Sequence, residues 1–182
     1  MKKASNTLIN MVAALFLISG GAAFLLAEVY AATKEPIEKS QKQKEEQALR
    51  EVSPAFDKAL PATFGELSGF VLLKGEDTVG YTLKTYTDKG FSGHIDMMIG
   101  FDKNLNIVNT KVLYHKETPG LGDKMTQPKF KNQFIGKNPS SFRLKVKKDG
   151  GDVDAITAST ITSRAFCDAI TRAYENIKKF KK

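Results

Sequence analysis

The chain has 182 residues, room for one compact domain plus accessories, and 41% hydrophobic with 26% charged residues excludes wholesale disorder. The net charge of +8 is carried by scattered Lys and Arg interleaved with acids, which argues against a nucleic-acid-binding stripe. A single cysteine, Cys167, excludes an intrachain disulfide and a cysteine-built cluster, and the only histidines, His94 and His115, are too few for a haem or zinc protein acting alone.

Residues 1–7, with Lys2 and Lys3, read as a cytoplasmic N-terminus. Residues 8–32 read as a transmembrane helix, because the run from Ala4 to Ala27 is uncharged and rich in Leu, Ile, Val, Phe and Ala. About 20 residues at ~1.5 Å rise span a hydrocarbon core of ~30 Å. A cleaved signal peptide ending near Val29-Tyr30-Ala31 is the rival, but its apolar region is ordinarily only about 7–15 residues. No cysteine near the end of the run could carry a lipoprotein anchor. The lysines before it and Glu28 after it put the N-terminus inside and the rest of the chain outside. Residues 33–52, dense in Lys, Glu and Gln, read as a polar stalk or solvated helix. Residues 53–182 then form the extracytoplasmic domain, opening at Ser53-Pro54.

Within that domain the hydrophobic period becomes two. Thr78–Thr87 and Ser92–Phe101 read as strands around an Asp88-Lys89-Gly90 turn. In the second, Ile95, Met97, Ile99 and Phe101 would face the core, and His94, Asp96, Met98 and Gly100 a partly wet side. Asp102-Lys103-Asn104 turns the chain into a strand over Leu105–Tyr114. Phe142, Leu144 and Val146 alternate with Arg143, Lys145 and Lys147, which predicts a further strand with a basic face. From Thr162 to Phe180 apolar residues recur every three or four positions, predicting a helix packed on the sheet. The fold class is α+β: an antiparallel sheet with a C-terminal helix, behind one N-terminal transmembrane helix.

Two segments carry chemistry. Asp154–Ser163 places the hydroxyls of Thr157, Ser159, Thr160, Thr162 and Ser163 at the start of that last helix. Helix N-termini offer unpaired N–H groups and the positive dipole end, which suit a phosphate, although an ordinary N-cap has the same composition. Glu117-Thr118-Pro119-Gly120-Leu121-Gly122 is a rigid loop in which Gly120 and Gly122 would let a flat ring come close. Leu121 would wall that ring, and Glu117 and Thr118 would bond its polar edges; a plain surface turn is the bland alternative.

These segments, together with Lys89–Ile95, Gly100 and the lone N-terminal helix, resemble the FMN-binding domain of membrane-bound ion-pumping redox complexes. The likeness is to the family of the G subunit of the Rnf ion-translocating electron transport complex, and the C subunit of the sodium-pumping NADH:quinone oxidoreductase is a relative. The family's fourth stretch ends in Ser-Gly-Ala-Thr, whose Thr is joined through oxygen to the FMN phosphate. The corresponding residues here are Thr157, Ala158, Ser159 and Thr160, so three positions depart from the pattern and Thr160 is the implied acceptor. The resemblance further implies a flavin transferase that uses FAD and a divalent metal ion, and neighbouring membrane and peripheral Rnf subunits as partners. It also implies an electron-transfer role in a ferredoxin:NAD oxidoreductase that moves ions, with no turnover by this chain alone and no nucleic acid. The expected location is the plasma (inner) membrane. The related C subunit of the sodium-pumping oxidoreductase, a stand-alone extracytoplasmic flavin domain and a cofactor-free envelope binding or scaffold domain are the alternatives.

Overall fold

The computed structural model describes residues 2–181, with side chains described for 7–181. The chain divides into two compact units, residues 1–44 and 45–182. Helix α1 (Lys2–Val52) makes up the first and continues into the second, with Pro36 inside it. In the first unit its apolar side chains are exposed: Phe16, Leu17 and Ile18 are 75, 73 and 73% exposed. This is the one helix among the described residues that is long and apolar enough to cross a membrane.

The second unit is built on a five-stranded antiparallel sheet in simple meander order, β1 (Lys58–Phe64), β2 (Leu67–Lys74), β3 (Asp77–Gly90), β4 (Gly93–Asp102) and β5 (Ile107–His115). Consecutive pairing follows from the tight turns between strands, where Gly65, Gly75 and Gly93 take positive φ. Helix α3 (Thr160–Phe180) lies across the sheet. Phe166, Ala169, Ile170, Ala173 and Ile177 of α3 join Leu83, Ile95, Met97, Ile99 and Phe101 of the sheet in one core. Two threonines of β3 face the same helix and are satisfied there: Thr85 donates to the Ala169 carbonyl at 3.0 Å and Thr87 to Asp168 at 2.8 Å.

The opposite face of β4 is drier than alternation predicts. Met98 is 2% exposed and Gly100 is buried, because Ala48 and Val52 at the end of α1 cover them. A Cβ at Gly100 would stand 1.8 Å from the Val52 carbonyl oxygen, so only glycine admits that packing. Lys111 and Lys131 both bind Glu51 of the same turn, at 2.7 and 3.2 Å, and they leave its pKa lowered against the opposing effect of burial, the Lys111 hydrogen bond being the largest cause.

Three departures from the sequence reading have physical reasons. Strands β1 and β2 were not foreseen, since Pro61 and Gly69 break the β-like patterns of Lys58–Phe64 and Leu67–Lys74. Residues 122–134 fold as short helical turns, 3-10 at Gly122–Thr126 and Asn132–Phe134 with α2 (Pro128–Lys131) between, too short to show a period. Residues 142–147 are not a strand: apart from a parallel bridge between Val146 and Val153 the stretch is irregular. Two of its basic side chains are spent on local acids, Arg143 forking onto Asp152 and Lys147 bound to Asp154, which leaves Lys145 exposed.

Candidate functional site

The β3–β4 hairpin tip, the loop after β5 and the start of α3 meet around one cavity of about 350 Å³. Its walls come from Phe91, from Glu117, Thr118, Leu121 and Gly122, and from Ala158 to Ile161. Segments about forty residues apart in the chain thus share one site. Its size lies within the range of small-molecule pockets, roughly 300–1,000 Å³.

The loop is shaped by backbone restrictions. Leu121 donates its N–H to the Thr118 carbonyl at 3.1 Å, with Pro119 and positive-φ Gly120 between them. That is the residue pattern of a type II turn, and it pushes Leu121 out to 41% exposure. Gly122 serves packing instead of conformational freedom, because a Cβ there would lie 2.3 Å from Glu117 Oε2. Glu117 itself is 5% exposed and acts as a tie. Oε1 accepts the Ser92 N–H of the hairpin tip at 3.1 Å, and Oε2 accepts the Thr162 hydroxyl of α3 at 2.8 Å. One carboxylate therefore joins all three walls. The Glu117 N–H is bonded in turn to His115 Nδ1 at 3.2 Å, which gives that histidine a structural partner.

At the helix start the hydroxyls are sorted by direction. Ser159 is 7% exposed, its Oγ shares a 3.0 Å hydrogen bond with Thr162 Oγ1, and it makes no side-chain cap on α3. Ser163 Oγ donates to the Ser159 carbonyl and accepts the Ile156 N–H, closing the turn from within. Thr160, the first residue of α3, is half-buried on the cavity wall, and its hydroxyl has no hydrogen bond among the described residues. The N–H groups of Thr160, Ile161 and Thr162 likewise find no acceptor among the described residues. The turn that sets this up holds Ala158 at φ +61°, a left-handed backbone for a residue with a Cβ.

Of the nine residues expected at a site, Glu117, Thr118, Leu121, Gly122, Ala158, Ser159 and Thr160 line this cavity. Gly120 stands beside it in the turn, and Thr157 lines a neighbouring groove. Phe91 and Ile161 line the cavity without having been foreseen; both are largely exposed, at 70 and 46%. An aromatic between glycines at a hairpin tip, Gly90-Phe91-Ser92-Gly93, has no strand face to pack on, and that was the available signal. Cys167 plays no part: it is 3% exposed, and burial pushes its thiol pKa up to about 12. The groups present suit a flat, phosphate-bearing molecule, with apolar walls for a ring, an uncapped helix N-terminus for an anion, and beside it the Thr160 hydroxyl, unbonded among the described residues.

Comparison with known proteins agrees with that chemistry. Residues 90–175 match the FMN-binding domain family. The G subunit of the ion-translocating oxidoreductase complex of Methanosarcina acetivorans is 31% identical over 183 residues, covering 95% of this chain and 96% of that protein. The G subunit of the same complex from Cronobacter sakazakii is 38% identical over 115 residues, 60% of this chain and 55% of that protein, so the likeness there spans about half of the relative. Among solved structures, the C subunit of the Na(+)-translocating NADH-quinone reductase from Parabacteroides distasonis shares the fold, with a TM-score of 0.54 at 20% identity, covering 76% of this chain and 82% of that one.

Proposed function

We propose that this chain, which belongs to the G-subunit family of ion-translocating oxidoreductase complexes, carries FMN esterified to Thr160 and relays electrons between redox centres of such a complex. The observation that carries this reading is the Thr160 hydroxyl, unbonded on the wall of a 350 Å³ cavity at an uncapped helix start. The free N–H groups of residues 160–162 and the helix dipole would hold the phosphate. Phe91, Leu121 and Ile161 would flank the ring system, and Thr118 would offer polar contacts at its edge. Glu117 has both oxygens engaged by the protein, so its part is to keep the three walls together.

Bound FMN would supply the electron transfer itself, one or two electrons at a time, while the protein sets its position and surroundings. Attachment is written as a phosphoryl-ester exchange with FAD as donor, catalysed by a separate flavin transferase. The Thr160 oxygen forms a bond to the FMN phosphorus, the pyrophosphate P–O bond breaks, AMP leaves, and the hydroxyl proton passes to a base. The inward hydrogen bond of Ser159 to Thr162 favours Thr160 over Ser159 as the acceptor.

The apolar helix would anchor the chain, with residues 1–7 cytoplasmic, 8–32 in the inner membrane, 33–52 as stalk and 53–182 outside. A covalent bond suits that side of the membrane, where a dissociated flavin would be lost. Partner subunits would donate and accept the electrons, and the chain alone would turn over no substrate. Coexpression with a flavin transferase tests the assignment: Ser159→Ala should retain a fluorescent flavin band on a denaturing gel and Thr160→Ala should lose it. A band that survives Thr160→Ala would refute the acceptor.

A further inference from the structure

Beside the cavity, across the turn at Thr157 and Ala158, lies a second groove of about 330 Å³. One wall is helical and supplies Lys124, Lys129 and Phe130; the other is the stretch 154–157, irregular as far as Ile156 and turning at Thr157. This second wall is held from behind at Asp154. Gln133 accepts the Asp154 N–H at 2.8 Å and donates to the Asp154 carbonyl at 3.2 Å, as a neighbouring strand would. Next along, Ala155 is exposed, and its N–H and C=O have no partner among the described residues. The groove is also electrically unbalanced. Lys124 and Lys129 meet no acid among the described residues, whereas the Asp154 carboxylate is matched by Lys147 at 2.7 Å. A wall with free main-chain groups at Ala155, an apolar floor and two unmatched cations fits an acidic segment.

Resting on the reading that FMN is attached at Thr160, we infer that this groove docks an acidic segment of the flavin-delivering protein. Position supports that occupant over an electron-transfer partner. The groove wall and the acceptor hydroxyl belong to one stretch, 154–160, so a segment seated on the wall brings its protein to within a few residues of Thr160. An electron partner would instead need the ring side, where Phe91, Leu121 and Ile161 lie exposed. The lysines would act by steering and holding the donor protein, so their effect belongs to the attachment step and is screened by salt.

The test follows covalent flavin formation on the full chain in detergent, with purified flavin transferase, FAD and a divalent cation. Lys124→Glu/Lys129→Glu should slow attachment about tenfold or more at low salt, and the wild-type rate should fall toward it as NaCl rises. Lys74→Glu/Lys103→Glu, the same charge change at the hairpin turns on the far end of the sheet, should match wild type. Thermal unfolding of each variant confirms the fold, and Lys124→Gln/Lys129→Gln, with milder loss, stands in if reversal unfolds the chain. Attachment to the double variant at the wild-type rate would overturn the docking inference while leaving Thr160 as acceptor. Normal attachment coupled with failed assembly into the membrane complex would also overturn it, by assigning the groove to another component of the complex. No attachment to wild type would refute the underlying reading and this inference together.

Discussion

Ala158 holds a left-handed backbone, φ +61°, in the turn that brings Thr160 to its cavity. A Cβ in that region costs about 1–2 kcal/mol, and the greater freedom of glycine in the unfolded chain returns part of the difference. Ala158→Gly should therefore stabilise the protein by up to about 1 kcal/mol and raise its melting temperature by a few degrees, with flavin attachment at least as fast. A lower melting temperature would mean that the turn is not strained. His94 is a separate probe of the hairpin bearing Phe91. Its ring bonds Asp88 at 2.6 Å and Asp96 at 3.0 Å, and chiefly the Asp88 bond raises its pKa above the ordinary 6.5. A raised folded pKa stabilises fully below about pH 6.5, and the benefit fades as pH climbs through the folded value. His94→Gln should thus lower the melting temperature at pH 5.5 and leave it nearly unchanged at pH 9. The effect should be small, since the pair is largely in solvent, and a gap that widened at high pH would contradict the assignment.

Among the elements, those with a strong period were legible and those shaped by neighbours were not. The alternation in β4 and the three-to-four spacing in α3 reflect one buried face each, which a sequence records directly. The burial of Met98 and Gly100 depends on the end of α1 packing across the sheet, and the polar composition of residues 33–52 hides the two apolar positions, Ala48 and Val52, that do it. Gly100 gives that contact a sharp test. Gly100→Val should cost about 3 kcal/mol or more, because its Cβ would collide with the Val52 carbonyl rather than with a movable side chain. Thermal unfolding of the full chain in detergent would measure it, and a neutral result would separate α1 from the sheet. At the site, the loop and the hydroxyl cluster were recognisable as motifs. That Ser159 turns inward, that Glu117 is consumed in tying the walls, and that Phe91 and Ile161 complete them are outcomes of packing that no local pattern encodes.

The molecule carries a helix whose described apolar side chains are exposed and a sheet-and-helix unit with a chemically prepared cavity. On the function proposed, burying that helix in lipid and esterifying a flavin at the cavity would serve one end: both would keep an electron carrier where it is needed, one by hydrophobic transfer and one by a covalent bond. The most direct measurement is the mass of the Thr160-containing tryptic peptide from the native chain, isolated from membranes with its neighbouring subunits. The expected value is the unmodified mass plus about 438 Da, one FMN less one water, with fragmentation placing the addition on Thr160. A peptide of unmodified mass, or the addition found on Ser159 or Thr157, would contradict it.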